Sequence, residues 1–176
     1  TGQTLALVGG NLTLNQGALL IAEQGRIELG SLAEPGEVSL TPTNQGLVLG
    51  YAENQNFGDI QLSQDALVDT SGEGGGDIQV QGRRVTLSEG AALIAITFGT
   101  DSGGTLTVNA SESVELLGTS STTGFPSGLL TETEGAGAGG NLIINTQRLV
   151  IRDGAQASAA ALLPGNGQGG IRAPCA

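Results

Sequence analysis

The chain has 176 residues and a formal net charge of −11, from 17 acidic side chains against six arginines, with no lysine or histidine. Such a surface repels nucleic acid and anionic membranes, because affinity for phosphate comes mainly from Lys and Arg. Without histidine, His-based acid–base catalysis and the usual zinc sites are excluded. No stretch approaches the roughly 20 apolar residues of a membrane-spanning helix, so we expect no stable membrane insertion.

The composition indicates an unusual core. Hydrophobic residues make up 38 % of the chain, but aromatic residues only 2 %, and 31 positions are glycine. A core without aromatic bulk must be built from Leu, Ile, Val and Ala in thin layers. Between the glycines, apolar and polar residues alternate, which predicts short strands with one buried face, and few helices. The single cysteine, Cys175, has no partner for an intramolecular disulfide.

An internal repeat dominates the sequence. A glycine, then Asn, Asp or Thr, then two apolar residues flanking a third residue, recurs at Gly10, Gly58, Gly76, Gly104 and Gly140. The motif Gly169-Gly170-Ile171 resembles the beginning of a sixth copy. We interpret each copy as the start of one structural unit.

The copies at Gly76 and Gly140 align without gaps through four apolar positions and a following Gly-Ala pair. We place the copy at Gly10 in the same phase, and the copy at Gly104 slips by one residue. The aligned apolar residues are Ile78, Val80, Val85 and Leu87, then Leu142, Ile144, Leu149 and Ile151, then Leu12, Leu14, Leu19 and Ile21, with Val114 and Leu116 after the slip.

Three short strands in each unit of this length predict an all-β fold, a right-handed parallel β-helix (β-solenoid) forming a single elongated domain. We interpret the recurring glycines as tight corners with positive φ. The Thr/Ser/Gly-rich stretch from Gly118 to Gly139 is predicted to be the longest loop. The wide spacing after Gly10 predicts a degenerate turn of the solenoid around 46–49.

Two blocks near the start carry a family resemblance: LALVGGNLTL at Leu5–Leu14 and GRIELGS at Gly25–Ser31. They resemble the end of the haemagglutination-activity domain of two-partner-secretion exoproteins, the filamentous-haemagglutinin family, in a style common in cyanobacteria. The later Gly-Gly-Asp and Gly-Gly-Asn units resemble the β-helical repeats that follow that domain.

From the resemblance we assign residues 1–57 to the C-terminal part of a secretion domain, 58–170 to β-helical repeat coils and 171–176 to an irregular tail. The family's early Asn-Pro motif has no counterpart here, so we expect the start of the secretion domain to be missing.

The resemblance implies a non-catalytic structural or adhesive passenger of a secreted or cell-surface bacterial exoprotein. Its implied partners are an outer-membrane two-partner-secretion transporter, and glycans or proteins on host or cell surfaces. It implies no cofactor, and we assign no catalytic, cofactor-binding or metal residues.

The alternative is a carbohydrate-active parallel β-helix enzyme, a polysaccharide lyase or hydrolase. Hydrolases need clustered carboxylates, but the spaced acids Glu132 and Glu134, and Asp65 and Asp69, are interpreted as solvated residues. Lyases need a basic group, and the one basic pair, Arg83-Arg84, has no acidic residue at a matching spacing. Acids gathered in one cleft would favour the enzyme, and a smooth rod the adhesin.

Three weaker motifs complete the sequence. Gly74–Asp77 is one partial copy of a calcium-solenoid repeat. Gly135-x-Gly137-x-x-Gly140 matches a dinucleotide fingerprint, but a strand is predicted where that motif needs a helix. A surface-binding solenoid with a regular threonine array is a third hypothesis. It fits poorly, because the outward threonines Thr13, Thr86, Thr105 and Thr107 do not recur at equivalent positions.

Overall fold

The computed structural model describes residues 3–43, 46–162 and 170–172, and every regular element within these ranges is a β-strand. The all-β class predicted from the alternating pattern is therefore confirmed. The strands are β1 (Thr4–Gly9), β2 (Leu12–Leu14), β3 (Leu19–Ile21), β4 (Arg26–Ser31), β5 (Val38–Thr43), β6 (Gly46–Tyr51), β7 (Ile60–Leu62), β8 (Leu67–Asp69), β9 (Asp77–Ser88), β10 (Ala92–Ile94), β11 (Thr105–Leu117), β12 (Gly128–Leu130), β13 (Asn141–Arg152), β14 (Gln156–Ser158) and β15 (Gly170–Arg172).

Thirteen of these strands form two parallel sheets. The larger sheet has eight strands, with β1, β4, β9, β11, β13 and β15 in order and β2 and β7 pairing beside them. The smaller sheet has five strands in the order β14, β12, β10, β8, β3. The remaining two strands, β5 and β6, form an antiparallel hairpin. Parallel pairing between successive units is what the repeat predicted.

The pairings define five units, each with a first, a second and a third strand segment. Unit one is β1, β2 and β3, and unit two is β4, β7 and β8. In units three to five, one long strand (β9, β11 or β13) supplies the first two segments, and β10, β12 or β14 supplies the third.

A sixth unit begins at β15, which pairs with the start of β13. This strand coincides with the sixth copy of the motif at Gly170 and includes Ile171 and Arg172. The rest of the tail assigned from the sequence, 173–176 with Cys175, lies outside the described residues.

The phase assigned to the first two units is wrong by one segment. Leu12 pairs with Ile60, and Ile60 pairs with Val85 rather than with Ile78. The true equivalents of Ile78 are Leu5 and Ile27. The error has a physical cause. The first and second segments both follow a corner and both alternate, so the same short pattern fits either one.

Two loop assignments are also corrected. The stretch from Gly118 to Gly139 contains β12, which pairs with β10 and β14 and is the third segment of unit four. The residues around 46–49 form no turn of the parallel sheets. They belong to the hairpin, in which Leu40 lies opposite Leu49, inserted between the first and second segments of unit two.

The core is a set of aliphatic ladders that run from unit to unit. Leu106 lies between Ile78 and Leu142, and all three are at most 1 % exposed. The predicted slip of unit four is confirmed as a register shift between Ala110 and Ser113. In unit five the ladder residues are buried to different degrees. In β13, Leu142 is fully buried, but Leu149 is 40 % exposed. Strand β15 pairs only with the first part of β13, which explains the difference.

Glycines serve two different purposes at the corners. Gly90 and Gly154 have positive φ, at 83° and 88°, as predicted for tight turns. Gly103 and Gly104 do not. A Cβ on Gly103 would meet the backbone of Gly140, and one on Gly104 would meet the backbone of Gly76. These positions need glycine because adjacent units approach closely there.

Candidate functional site

The site lies at the corner where the first segment of each unit meets the second. In β9 the alternation breaks at Arg83 and Arg84, two consecutive exposed residues between buried Gly82 and Val85. The corresponding corner residues are Asp59 in unit two, Glu112 in unit four and Arg148 in unit five. Because the units stack in parallel, we call Asp59, Arg83, Arg84, Glu112 and Arg148 together the charged corner.

Charge alternates from unit to unit along the charged corner. Arg83 donates from Nε and Nη2 to the two carboxylate oxygens of Asp59, at 2.9 and 2.8 Å. Arg84 Nη2 donates to Glu112 Oε1 at 2.6 Å, and Arg83 Nη1 lies 3.8 Å from the other oxygen. These are charge-assisted bonds, and the first is the two-pronged form that suits a guanidinium.

One further ion pair lies next to the charged corner, between the second segments of units four and five. Arg148 Nη2 of unit five donates to Glu115 Oε1 of unit four at 2.9 Å. Glu115 lies opposite Thr86 of unit three, on the outer face of the sheet. The ion pairs therefore join four successive units through side chains.

These side chains border an open groove of about 750 Å³ that crosses units two to five. Its polar lining includes Asp59, Gln61, Arg84, Thr86, Glu115 and Arg148. Four stacked strands at roughly 4.8 Å spacing give it a length of about 14 Å. Since the strand backbones pair with each other, the groove offers mainly side-chain donors and acceptors.

Arg84 and Glu112 each favour the charged form of the other. The hydrogen bond from Arg84 lowers the pKa of the Glu112 carboxyl below its ordinary value, and the same bond raises the pKa of Arg84. A general acid must hold a proton at the working pH, so its pKa has to be raised. Glu112 therefore suits a permanent charge that binds, not a proton donor.

The structure corrects one sequence inference about this site. Arg83 and Arg84 are exposed, as expected, but the inference that no acidic residue accompanies them is wrong, because Asp59 and Glu112 reach them from neighbouring units. A matching acid could have been found in the sequence only with the units in the right phase and the hairpin recognised as an insertion.

The other acids singled out from the sequence lie outside the groove. Asp65 accepts a hydrogen bond from the Thr122 hydroxyl at 3.0 Å, and Asp69 accepts one from the Ser71 amide at 2.8 Å. Glu132 and Glu134 flank the buried Thr133. The two acids of each pair are separated from each other along a strand or turn, as is expected for solvated residues.

The weaker motifs have structural roles. Asp77 binds Arg26 at 2.8 Å and the Thr105 amide at 2.7 Å. Over the ranges described, no three acidic, Cys or His side chains gather where they could hold a metal ion. Strand β13 follows Gly140 where the dinucleotide fingerprint requires a helix. The outward row that contains Thr13 and Thr86 continues as Gln61, Glu115 and Val150, so threonine does not repeat along it.

Comparison with known proteins gives one match. A family model described as TPS secretion domain matches residues 1–80. The match covers all of unit one, all of unit two with its inserted hairpin, and the first part of β9. Neither the curated proteins nor the solved structures gave a match. Within the described ranges, no helix has the length and apolarity required to cross a membrane.

Proposed function

We propose that this chain, whose residues 1–80 match the TPS secretion domain family, is a structural and adhesive passenger segment of a secreted two-partner-secretion exoprotein and has no catalytic activity. The groove at the charged corner carries the proposal. It is open and polar, and it spans four units. A surface of this kind suits contact with an extended polar partner, such as a glycan chain or a protein on a host or cell surface.

The proposed absence of catalysis draws support from the same ion pairs. Asp59, Glu112 and Glu115 are each bound to an arginine. Hydrolysis of a glycosidic bond needs one carboxyl that keeps its proton as well as one that is ionised. The hydrogen bond from Arg84 lowers the pKa of the Glu112 carboxyl, which is the wrong direction for a proton donor.

We further propose that the two parallel sheets are faces of a right-handed parallel β-helix. Each unit contributes in turn to the larger sheet, twice, and to the smaller sheet, once, before the chain returns one strand further along. That order is what a chain winding around one axis produces. Crossover connections between parallel strands are almost always right-handed.

The domain division also stands as a proposal: secretion domain in residues 1–57, repeat coils in 58–170 and tail in 171–176, of which Ile171 and Arg172 continue the coils as part of β15. A TPS secretion domain implies recognition by an outer-membrane transporter. We place that recognition on the first two units, and adhesion on the groove that crosses units two to five.

Export can be tested by expressing the chain behind a cleavable signal peptide in a Gram-negative host, with and without a transporter from the same system. The quantity measured is the chain in the culture medium or on the cell surface. Transporter-dependent release supports the proposed partner. Retention in the periplasm in both strains contradicts recognition by this chain.

Adhesion can be tested with the purified chain on arrays of glycans and on immobilised cells. The informative variant is Arg148→Ala, which removes a guanidinium from the groove wall. Arg152→Ala is the matched control, since Arg152 is similarly exposed and bonded to Asp153 but does not border the groove. Binding lost only in Arg148→Ala supports the groove, and binding unchanged in both excludes it.

A carbohydrate-active enzyme remains the second candidate, and one observation favours it: three carboxylates do border one groove. Its test is depolymerisation of a panel of neutral and acidic polysaccharides, followed as new reducing ends or unsaturated products. Turnover that disappears in Glu115→Gln would establish the enzyme and overturn the non-catalytic proposal.

A further inference from the structure

The hairpin strands β5 and β6, here together called the strap, lie across the outer face of the larger sheet. Strand β6 contacts three units. The Leu47 amide donates to Thr4 Oγ1 of unit one at 2.7 Å. The Leu49 carbonyl accepts a bond from Gln79 Nε2 of unit three at 3.2 Å. Between these two points, the backbone of Leu49 lies beside the Glu28 carboxyl of unit two.

Glu28 is therefore covered by the strap. Its side chain is 1 % exposed, although it belongs to the outward row of β4 and lies opposite Gln79. Leu49, which closes over it, is 4 % exposed. Tyr51 covers the same strand two residues further along. Its hydroxyl lies so close to Gly30 that a Cβ on that residue would collide with it. The ring of Tyr51 packs edge-on against Phe57 at 5.5 Å.

The charges under the strap do not balance. The titratable groups that face Glu28 are Arg26 on its own strand, Asp77 on β9 and Tyr51 on β6. One guanidinium serves both carboxylates, since Arg26 Nε lies 2.5 Å from Glu28 and Nη1 lies 2.8 Å from Asp77. With both acids ionised, the cluster holds a net negative charge out of water, which is costly.

Two buried polar atoms in this cluster have no partner in the structure, Glu28 Oε2 and the Tyr51 hydroxyl. An unpartnered buried oxygen is an unusual feature that costs stability. A proton on Glu28 would remove the excess charge and give the carboxyl a donor of its own.

We propose that the strap is a proton-coupled device, which closes over Glu28 in its protonated form and opens as that carboxyl ionises. The direction follows from linkage. Burial, the largest influence, raises the pKa of Glu28 above its ordinary value while the strap is closed. An open strap exposes the carboxyl to water and returns the pKa toward that value. Closing therefore takes up a proton, and rising pH favours opening.

The size of the effect follows from the same relation. Each pKa unit that separates the closed form from the open form changes the closing equilibrium by about tenfold. The change takes place between the two pKa values, and the equilibrium is independent of pH on either side.

The chain carries its own reporter of the strap, because Tyr51 is its one tyrosine and it has no tryptophan. The experiment follows the intact chain from acidic to neutral pH, with quenching of Tyr51 fluorescence and hydrogen exchange of β6, corrected for intrinsic rates. We expect quenching and exchange of β6 to increase as the pH rises, while β11 stays protected. Glu28→Gln, which cannot ionise, should keep the strap closed throughout. Glu132→Gln is the control and should behave as the unaltered chain.

A second variant guards against misfolding of Glu28→Gln. Gln79→Ala removes one fastening of Leu49 and leaves the titrating carboxyl in place, so the strap should open more at every pH with the pH dependence retained. A strap whose exchange does not change with pH, or a profile that survives in Glu28→Gln, would overturn the proposal. Neither result bears on adhesion, because no residue of the strap lines the groove.

Discussion

Arg83 holds both carboxylate oxygens of Asp59, although 24 residues separate the two in sequence. The contact exists because β7 pairs in parallel with the second half of β9, which brings the corner of unit two beside the corner of unit three. The same stacking brings Glu112 to Arg84. Salt bridges at this corner thus report the register of the parallel sheet.

The Asp59–Arg83 pair should contribute little to stability despite its geometry. Both side chains are more than a third exposed, and exposed pairs contribute about 0.2–1 kcal/mol because water and salt screen them. A double-mutant cycle with Asp59→Asn and Arg83→Gln, measured by urea unfolding, should give a coupling energy in this range. The coupling energy should shrink in high salt. A coupling energy far above about 1 kcal/mol would mean that the pair is shielded from water.

Two leucines on one strand should differ sharply when truncated. Leu142→Ala removes a fully buried side chain from the middle of a ladder, so we expect a loss of about 2–5 kcal/mol. Leu149→Ala is the matched control, since Leu149 is 40 % exposed, and it should cost less than about 1 kcal/mol. Chemical denaturation of both variants measures the difference. Equal losses would show that a further unit, or a second copy of the chain, covers Leu149.

The close approach of neighbouring units at Gly104 can be tested by substitution. Gly104→Ala places a methyl group against the backbone of Gly76, and we expect a loss of about 1–3 kcal/mol from overpacking. Gly10→Ala is the control, because a Cβ there meets nothing within 4 Å. The melting temperature should fall for the first variant and stay nearly constant for the second. A drop for both would indicate that glycine is needed for its backbone conformation instead.

Tyr51 should ionise late wherever the strap stays closed, as we expect in Glu28→Gln. Burial raises its pKa to about 12, with a smaller contribution from the charge of Glu28, against an ordinary value of about 10. The unfolded chain loses the phenolic proton first, so the stability that this group contributes is present below about pH 10 and is lost as the pH rises through about 12. Tyrosinate absorbance gives the midpoint directly, since no other tyrosine is present. We expect the high midpoint in Glu28→Gln, and a midpoint nearer the ordinary value in the unaltered chain, whose strap has opened by that pH. An ordinary midpoint in both chains would mean that even the closed strap leaves Tyr51 in water.

The sequence by itself determined the class of the fold and most of its interior. Alternation around Ile78, Val80, Val85 and Leu87 identified buried positions, because one face of a strand must leave water, and all four are at most 1 % exposed. The blocks at Leu5–Leu14 and Gly25–Ser31 indicated the family whose secretion-domain model matches residues 1–80.

Only the tertiary structure decided the phase of the units and the location of the charged corner. A short alternating pattern fits the first or second segment equally well, and pairing with a neighbouring unit is what distinguishes Leu12 as an equivalent of Val85. The inserted strap hid the equivalence further, since it lengthens unit two without adding a segment. Glu112 and Asp59 approach the arginines through stacking across units, a contact that no local pattern contains, and the burial of Glu28 depends on a hairpin folding back over it.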